Sequence, residues 1–150
     1  MYWSCYLRKG MVYIPTTGRV EPRGAYQDIE PVAVVSISDT AKLRHAFRDA
    51  IERGNPPLPI VLRGDLPKPI MPNYAGVKSW SAFARGTKPW GIALREGIHS
   101  IEAWRPSPPR GWEPDKARSI AFPHGTEVDQ VIDRLIAILR EAAGPPGVGG

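Results

Sequence analysis

Residues 126–143 read TEVDQVIDRLIAILREAA, and this stretch decides the fold. Val128, Val131, Ile132, Leu135, Ile136, Leu139 and Ala142 recur at helical spacing and make one broad apolar stripe. Gln130, Asp133, Arg134, Ala137, Arg140 and Glu141 fall on the other side. Thr126 suits the N-cap, where its hydroxyl accepts from a free first-turn amide, with Asp129 in the reciprocal position. Gly144 can take the conformation that ends a helix, and Pro145–Pro146 forbid its continuation. So wide a stripe needs a cover, which the rest of the chain must supply.

The first part of that cover is a hairpin. Residues 2–8 and 11–17 are rich in aromatic and β-branched side chains and flank Lys9–Gly10, a two-residue turn. Pairing Arg8 with Met11 sets Leu7 opposite Val12, Cys5 opposite Ile14 and Trp3 opposite Thr16 on one face. Tyr6 and Tyr13 then meet on the other. Pro15 cannot donate to a ladder, so its segment is expected at an edge or at a strand end. Residues 17–26 read as a loop, and 29–37 as a central strand, since 32–35 are apolar on both faces.

Ser38 or Asp39 can cap a second amphipathic helix running to about Arg53, with Leu43, Ala46, Phe47, Ala50 and Ile51 as its buried stripe. His45 falls opposite, one turn from Asp49. Residues 55–73 hold six prolines and read as a long connection, with 60–62 as a short strand. Ser79 can cap a short helix carrying Trp80, Phe83 and Ala84 on one side and stopped at Gly86. A second hairpin follows, 90–94 and 98–104 around Arg95–Glu96–Gly97. A proline-rich loop over 105–114 and a short strand over 119–122 lead to the closing helix. The expectation is an α+β fold: one antiparallel or mixed sheet with two main amphipathic helices on one face, a single domain over 1–143 and a flexible tail over 144–150.

The totals fit this. At 150 residues one domain buries about 70% of its extended-chain surface. The net charge of +5 and pI near 9.6 make an acidic partner easier to meet. The basic residues are scattered, with no run resembling a basic arm. One cysteine excludes an internal disulfide, and no segment has the length of a membrane span or the pattern of a secretory signal, so a cytoplasmic setting is expected.

Chemistry is sparsely signalled. There is neither a Walker-type loop nor a G-x-S-x-G turn, and His45, His99 and His124 lack metal-ligand spacing. No catalytic residue, metal or cofactor is expected. Cys5 with a histidine is the one nucleophilic pair the fold could assemble, and it requires an accessible thiol. Asp28 and Glu30 flank Ile29 and read as a solvated pair at a strand start.

Binding has more support. In VKSWSAFARGTKPW, residues 77–90, the cations Lys78, Arg85 and Lys88 interleave with Trp80, Phe83 and Trp90, the combination that stacked bases and phosphates require. Against it, Trp80 and Phe83 at helical spacing are what plugging a short helix into the core requires. Tryptophan and arginine are enriched at interface hot spots, and Trp112 with Arg110 is the tryptophan expected to be most exposed. Lys78, Trp80, Arg85, Lys88, Trp90, Arg110 and Trp112 are therefore the candidate partner-binding residues.

Three blocks, YWSCYLRKGMVYIPT, AGVKSWSAFARGTKPWGI and FPHGTEVDQVIDRLIAIL, together resemble the immunity proteins of bacterial contact-dependent growth inhibition systems. That resemblance implies a cytoplasmic, non-catalytic protein that neutralises a cognate toxin domain by binding over its active site. These families share no motif that assigns roles to residues. Nuclease inhibitors are often acidic and this chain is basic, so the implied partner has an acidic surface or a largely apolar contact. The alternative function is single-stranded nucleic-acid binding through residues 78–90.

Overall fold

The computed structural model describes residues 1–21, 24–59, 68–109 and 111–145. The expected α+β architecture is present: the described residues form one seven-stranded sheet and four helices. The main strands are β1 (Tyr2–Arg8), β2 (Met11–Val20), β3 (Ala25–Ser36), β5 (Lys88–Arg95), β6 (Ile98–Pro106) and β7 (Trp112–Ala121). They lie in the order β3-β2-β1-β5-β6-β7, each antiparallel to its neighbours. The two-residue β4 (Pro57–Leu58) adds a parallel pairing against the end of β2.

The helices α1 (Thr40–Glu52) and α4 (Val128–Ala143) cover one face. Leu43, Phe47, Leu135 and Leu139 pack there on Cys5, Leu7, Val12, Ile14, Ile92 and Ile101 in one apolar cluster. The short helices α2 (Met71–Ala75) and α3 (Trp80–Ala84) lie on the opposite face, where Met71 and Phe83 pack on Tyr6 and Tyr13.

The Lys9–Gly10 turn has both φ angles positive, at 50° and 75°, the conformation that matches strand twist in a two-residue hairpin. Its register is Arg8–Met11, Leu7–Val12 and Tyr6–Tyr13, as expected. The β1–β2 ladder consists of those three pairs, so Cys5–Ile14 and Trp3–Thr16 share the buried face without forming paired rungs. Pro15 accounts for the break. It stands in the interior of a long strand, at neither an edge nor an end, where its missing amide would have pointed at Ser4. The amide of Ser4 donates instead to Thr17 Oγ1 at 3.1 Å. The Asn55 side chain bridges the widening gap, with Nδ2 donating to the carbonyls of Tyr2 and Thr17.

Several boundaries differ from the sequence reading. Residues 17–26 are mostly strand where they are described, because β2 runs on to Val20 and β3 already begins at Ala25. The expected central strand β3 is an edge strand. Its apolar run is explained by cover on both faces: Val35 packs under the helices, Val32 packs against the Met71 and Phe83 cluster, and Val34 stays 39% exposed. The α4 N-cap is Glu127, without a side-chain cap, since the Thr126 hydroxyl donates to the Pro123 carbonyl at 2.7 Å. Asp129 pairs with Arg48 of α1 rather than closing a capping box. In α1 the cap is Asp39, accepting from the Lys42 amide at 3.1 Å. Residues 60–62, expected as a short strand, and 146–150 of the expected tail lie outside the described residues. No helix among the described residues is long and apolar enough to cross a membrane.

Candidate functional site

Strand alternation sends Trp3, Cys5 and Leu7 into the helix-covered core, and Tyr2, Ser4, Tyr6 and Arg8 to the opposite face. There the sheet is only partly roofed. Beside α3, a cavity of about 230 Å³ is walled by Tyr2, Tyr6, Tyr26, Trp80, Trp104 and Trp112 and floored by Ser4, Thr17 and Asp28. A second hollow of about 240 Å³ adjoins it, sharing Asp28 and Trp80 and extending to Pro69, Ile70 and Met71.

The walls are interlocked. Trp112, at the start of β7, packs edge-on to Trp80 at 5.5 Å and lies 6.0 Å from Tyr6. Tyr6 in turn meets Phe83 edge-on at 5.4 Å. On the far wall the Trp104 indole N–H donates to the Tyr2 hydroxyl at 2.9 Å. Tyr2 has room because residue 91 is glycine; a Cβ there would overlap its ring and hydroxyl.

The floor is a small polar network. Ser4 Oγ donates to Asp28 Oδ1, and the Tyr6 hydroxyl to Oδ2, each at 2.5 Å. Burial raises the Asp28 carboxyl above its ordinary value, and the bonds from Ser4 and Tyr6 oppose that rise. Burial also raises the hydroxyls of Tyr2 and Tyr6, with Asp28 adding to the effect on Tyr6. Each carboxylate oxygen keeps a second lone pair. The cup therefore offers aromatic faces around an acceptor, which suits an N–H-bearing or cationic side chain of a partner.

The expected solvated pair of Asp28 and Glu30 is thus overturned for Asp28. Between Thr16–Ile29 and Pro15–Val32 the register shifts, leaving Glu30 and Pro31 with no partner on β2. Thr16 holds this bulge, donating to the Pro31 carbonyl at 3.0 Å and accepting from Arg53 Nε at 2.8 Å.

Of the candidate binding residues, the structure brings Trp80 and Trp112 together in the cup wall. Trp112 is half-buried in a strand, not exposed in a loop, because Tyr6 and Trp80 hold its ring. Trp90 is 4% exposed and belongs to the core beneath the helices, and it borders the cup only from beneath. Lys88 turns to the end of α4, where Nζ donates to the Ala142 carbonyl at 3.1 Å, a favourable place for a cation. Lys78 and Arg85 are exposed on either side of α3, and Arg110 lies outside the described residues. The basic and aromatic residues of 78–90 are thus divided between the cup wall, the core, the end of α4 and the exposed flanks of α3.

Cys5 is 1% exposed, and burial pushes its thiol up to about 12, which removes a thiolate nucleophile. No group of three His, Cys, Asp or Glu side chains among the described residues could hold a metal ion. Sequence reasoning missed Tyr2, Ser4, Tyr26, Asp28 and Trp104. The one available signal was the even-numbered side of β1, where Tyr6 was already expected to meet Tyr13.

No family model matches the sequence, and no curated protein matches it. Solved structures do match the fold. A protein of unknown function from Neisseria meningitidis aligns with a TM-score of 0.64 at 14% identity, covering 94% of this chain and 93% of that one. A chain of the CdiA-CT/CdiI toxin and immunity complex from Yersinia pseudotuberculosis aligns with a TM-score of 0.61 at 10% identity, covering 96% and 97%.

Proposed function

We propose that this chain is a non-catalytic immunity protein that neutralises a cognate toxin domain by covering its active site. In this reading it works in the bacterial cytoplasm without a cofactor, and the aromatic cup is its docking element. The observation that carries the proposal is the cup itself: tryptophan and tyrosine rings interlocked around a half-buried acceptor, open to solvent. Tyrosine and tryptophan dominate interface hot spots because they contribute large contact areas at small entropic cost. The whole-chain likeness to a member of a toxin and immunity complex supports the kind of partner.

The test is co-expression with the toxin domain encoded beside this gene. The intact chain should restore growth and co-purify with the toxin. Trp112→Ala, at a half-buried rim position, should weaken the complex by roughly tenfold or more while the chain stays folded. Growth that is not restored, or a Trp112→Ala complex as tight as the original, would remove the proposal.

A further inference from the structure

Arg8, at the far end of the even-numbered side of β1, is buried without a counter-ion. It is 7% exposed, beneath the end of α3. Its Nη2 reaches the Ala82 carbonyl only at 3.5 Å, and its Nε has no partner. Among the described residues, none of Arg8, Lys9 or Arg85 forms an ion pair. The arginines that do, such as Arg44, Arg48, Arg95, Arg105 and Arg118, lie elsewhere.

A guanidinium keeps its charge at any ordinary pH, so it cannot escape burial by losing a proton. Buried charges are normally paired, and an unpaired one marks a place where a partner belongs. Beside Arg8 lies a hollow of about 440 Å³, lined by Arg8, Lys9, Val77, Ala82, Arg85 and Gly86. Lys9 is fixed at its mouth by the hairpin turn, and Arg85 stands exposed at the end of α3.

We propose that this hollow is a binding site for one oxyanion, held by Arg8 from within and by Lys9 and Arg85 at the rim. Two sources share that chemistry, a free phosphate-type anion and the carboxylate of an acidic side chain on a partner. The site is distinct from the aromatic cup and stands or falls independently of the toxin reading.

The test follows backbone amides of the full chain by NMR during titration with inorganic phosphate and, separately, with N-acetylglutamate, at ionic strength fixed with chloride. Saturable shifts at Gly10, Ala82 and Gly86 are expected with at least one of them. Saturation by phosphate alone identifies the free anion, and saturation by N-acetylglutamate identifies the carboxylate. Arg85→Gln and Lys9→Gln, both at exposed positions, should each weaken the response by roughly tenfold, the scale of one charge-assisted hydrogen bond. Arg95→Gln, at the other end of the sheet, should leave it unchanged. No saturable shift with either anion, or a response in Arg85→Gln equal to that of the unaltered chain, would overturn the proposal. Arg8→Gln is the direct variant; the two rim variants keep the test decisive if it does not fold.

Discussion

The two faces of the sheet are built from alternate residues of the same strands, yet they do opposite things. Beneath α1 and α4, Cys5, Leu7, Val12, Ile14, Ile92 and Ile101 meet Leu43, Phe47, Leu135 and Leu139 without a polar atom needing a partner. On the other side, Tyr2, Ser4, Tyr6, Asp28 and Trp104 spend their polar atoms on one another and leave a hollow. The first face resembles any dry core and serves stability. The second holds rings and a carboxylate in fixed positions while staying open, which is what a preformed recognition surface requires.

If that division is right, the faces should respond differently to truncation. Leu135→Ala removes a fully buried side chain from the α4 stripe. It should cost about 2–5 kcal/mol of stability, read by urea or thermal unfolding. In a domain of this size each kcal/mol lowers Tm by roughly 2–4 °C. Binding, measured where the variant is still folded, should be unaffected. A cost below about 1 kcal/mol would mean that α4 is not clamped as the packing requires.

Gly91→Ala makes a sharper distinction. Position 91 is an ordinary strand position, so a methyl group there strains nothing except Tyr2, whose ring it would overlap. Tyr2 must swing away, releasing its hydroxyl from the Trp104 indole N–H and opening one wall of the cup. The expected stability loss is about 1–3 kcal/mol. Trp104 fluorescence should shift to the red and partner binding should fall together. A change in stability with no effect on binding would separate the cup from function.

The sequence made the first face easier to read than the second. The α4 stripe shows because seven apolar residues recur at helical spacing within one segment, and the hairpin register follows from Lys9–Gly10 alone. The cup is assembled from β1, β2, β3, α3, β5, β6 and β7, so Tyr2 and Trp112 line one cavity only after the sheet has formed. Its polar members look like ordinary solvent-facing strand residues, and nothing local says that Asp28 is covered. Edge and centre were confused at β3 for a related reason: Val32 and Val35 are apolar because helices cover both sides of the strand, not because strands flank it. Pro15 misled because a residue that breaks one ladder need not end the strand.

The smallest effect concerns Asp28, and it tests whether the cup floor costs the fold anything. Burial raises the Asp28 carboxyl in the folded chain, whereas in the unfolded chain it titrates at its ordinary value. Between those two values the folded chain holds a proton that the unfolded chain has released. The contribution of Asp28 to stability is therefore greatest below about pH 4 and declines as pH rises through the folded value. Asp115 and Asp129, held low chiefly by the bonds from Arg118 and Arg48, act in the opposite sense: their contributions are present above the ordinary value and are lost as pH falls. Asp28→Asn removes only the first component. Its stability relative to the unaltered chain should thus climb with pH across that window and then level off, as followed by urea unfolding from about pH 4 to pH 8. The climb should be shallow, because the two short hydroxyl bonds from Ser4 and Tyr6 offset much of the cost of burial. A difference that stays flat with pH would mean that Asp28 titrates alike in the folded and unfolded chains, and that burial places no net penalty on its charge.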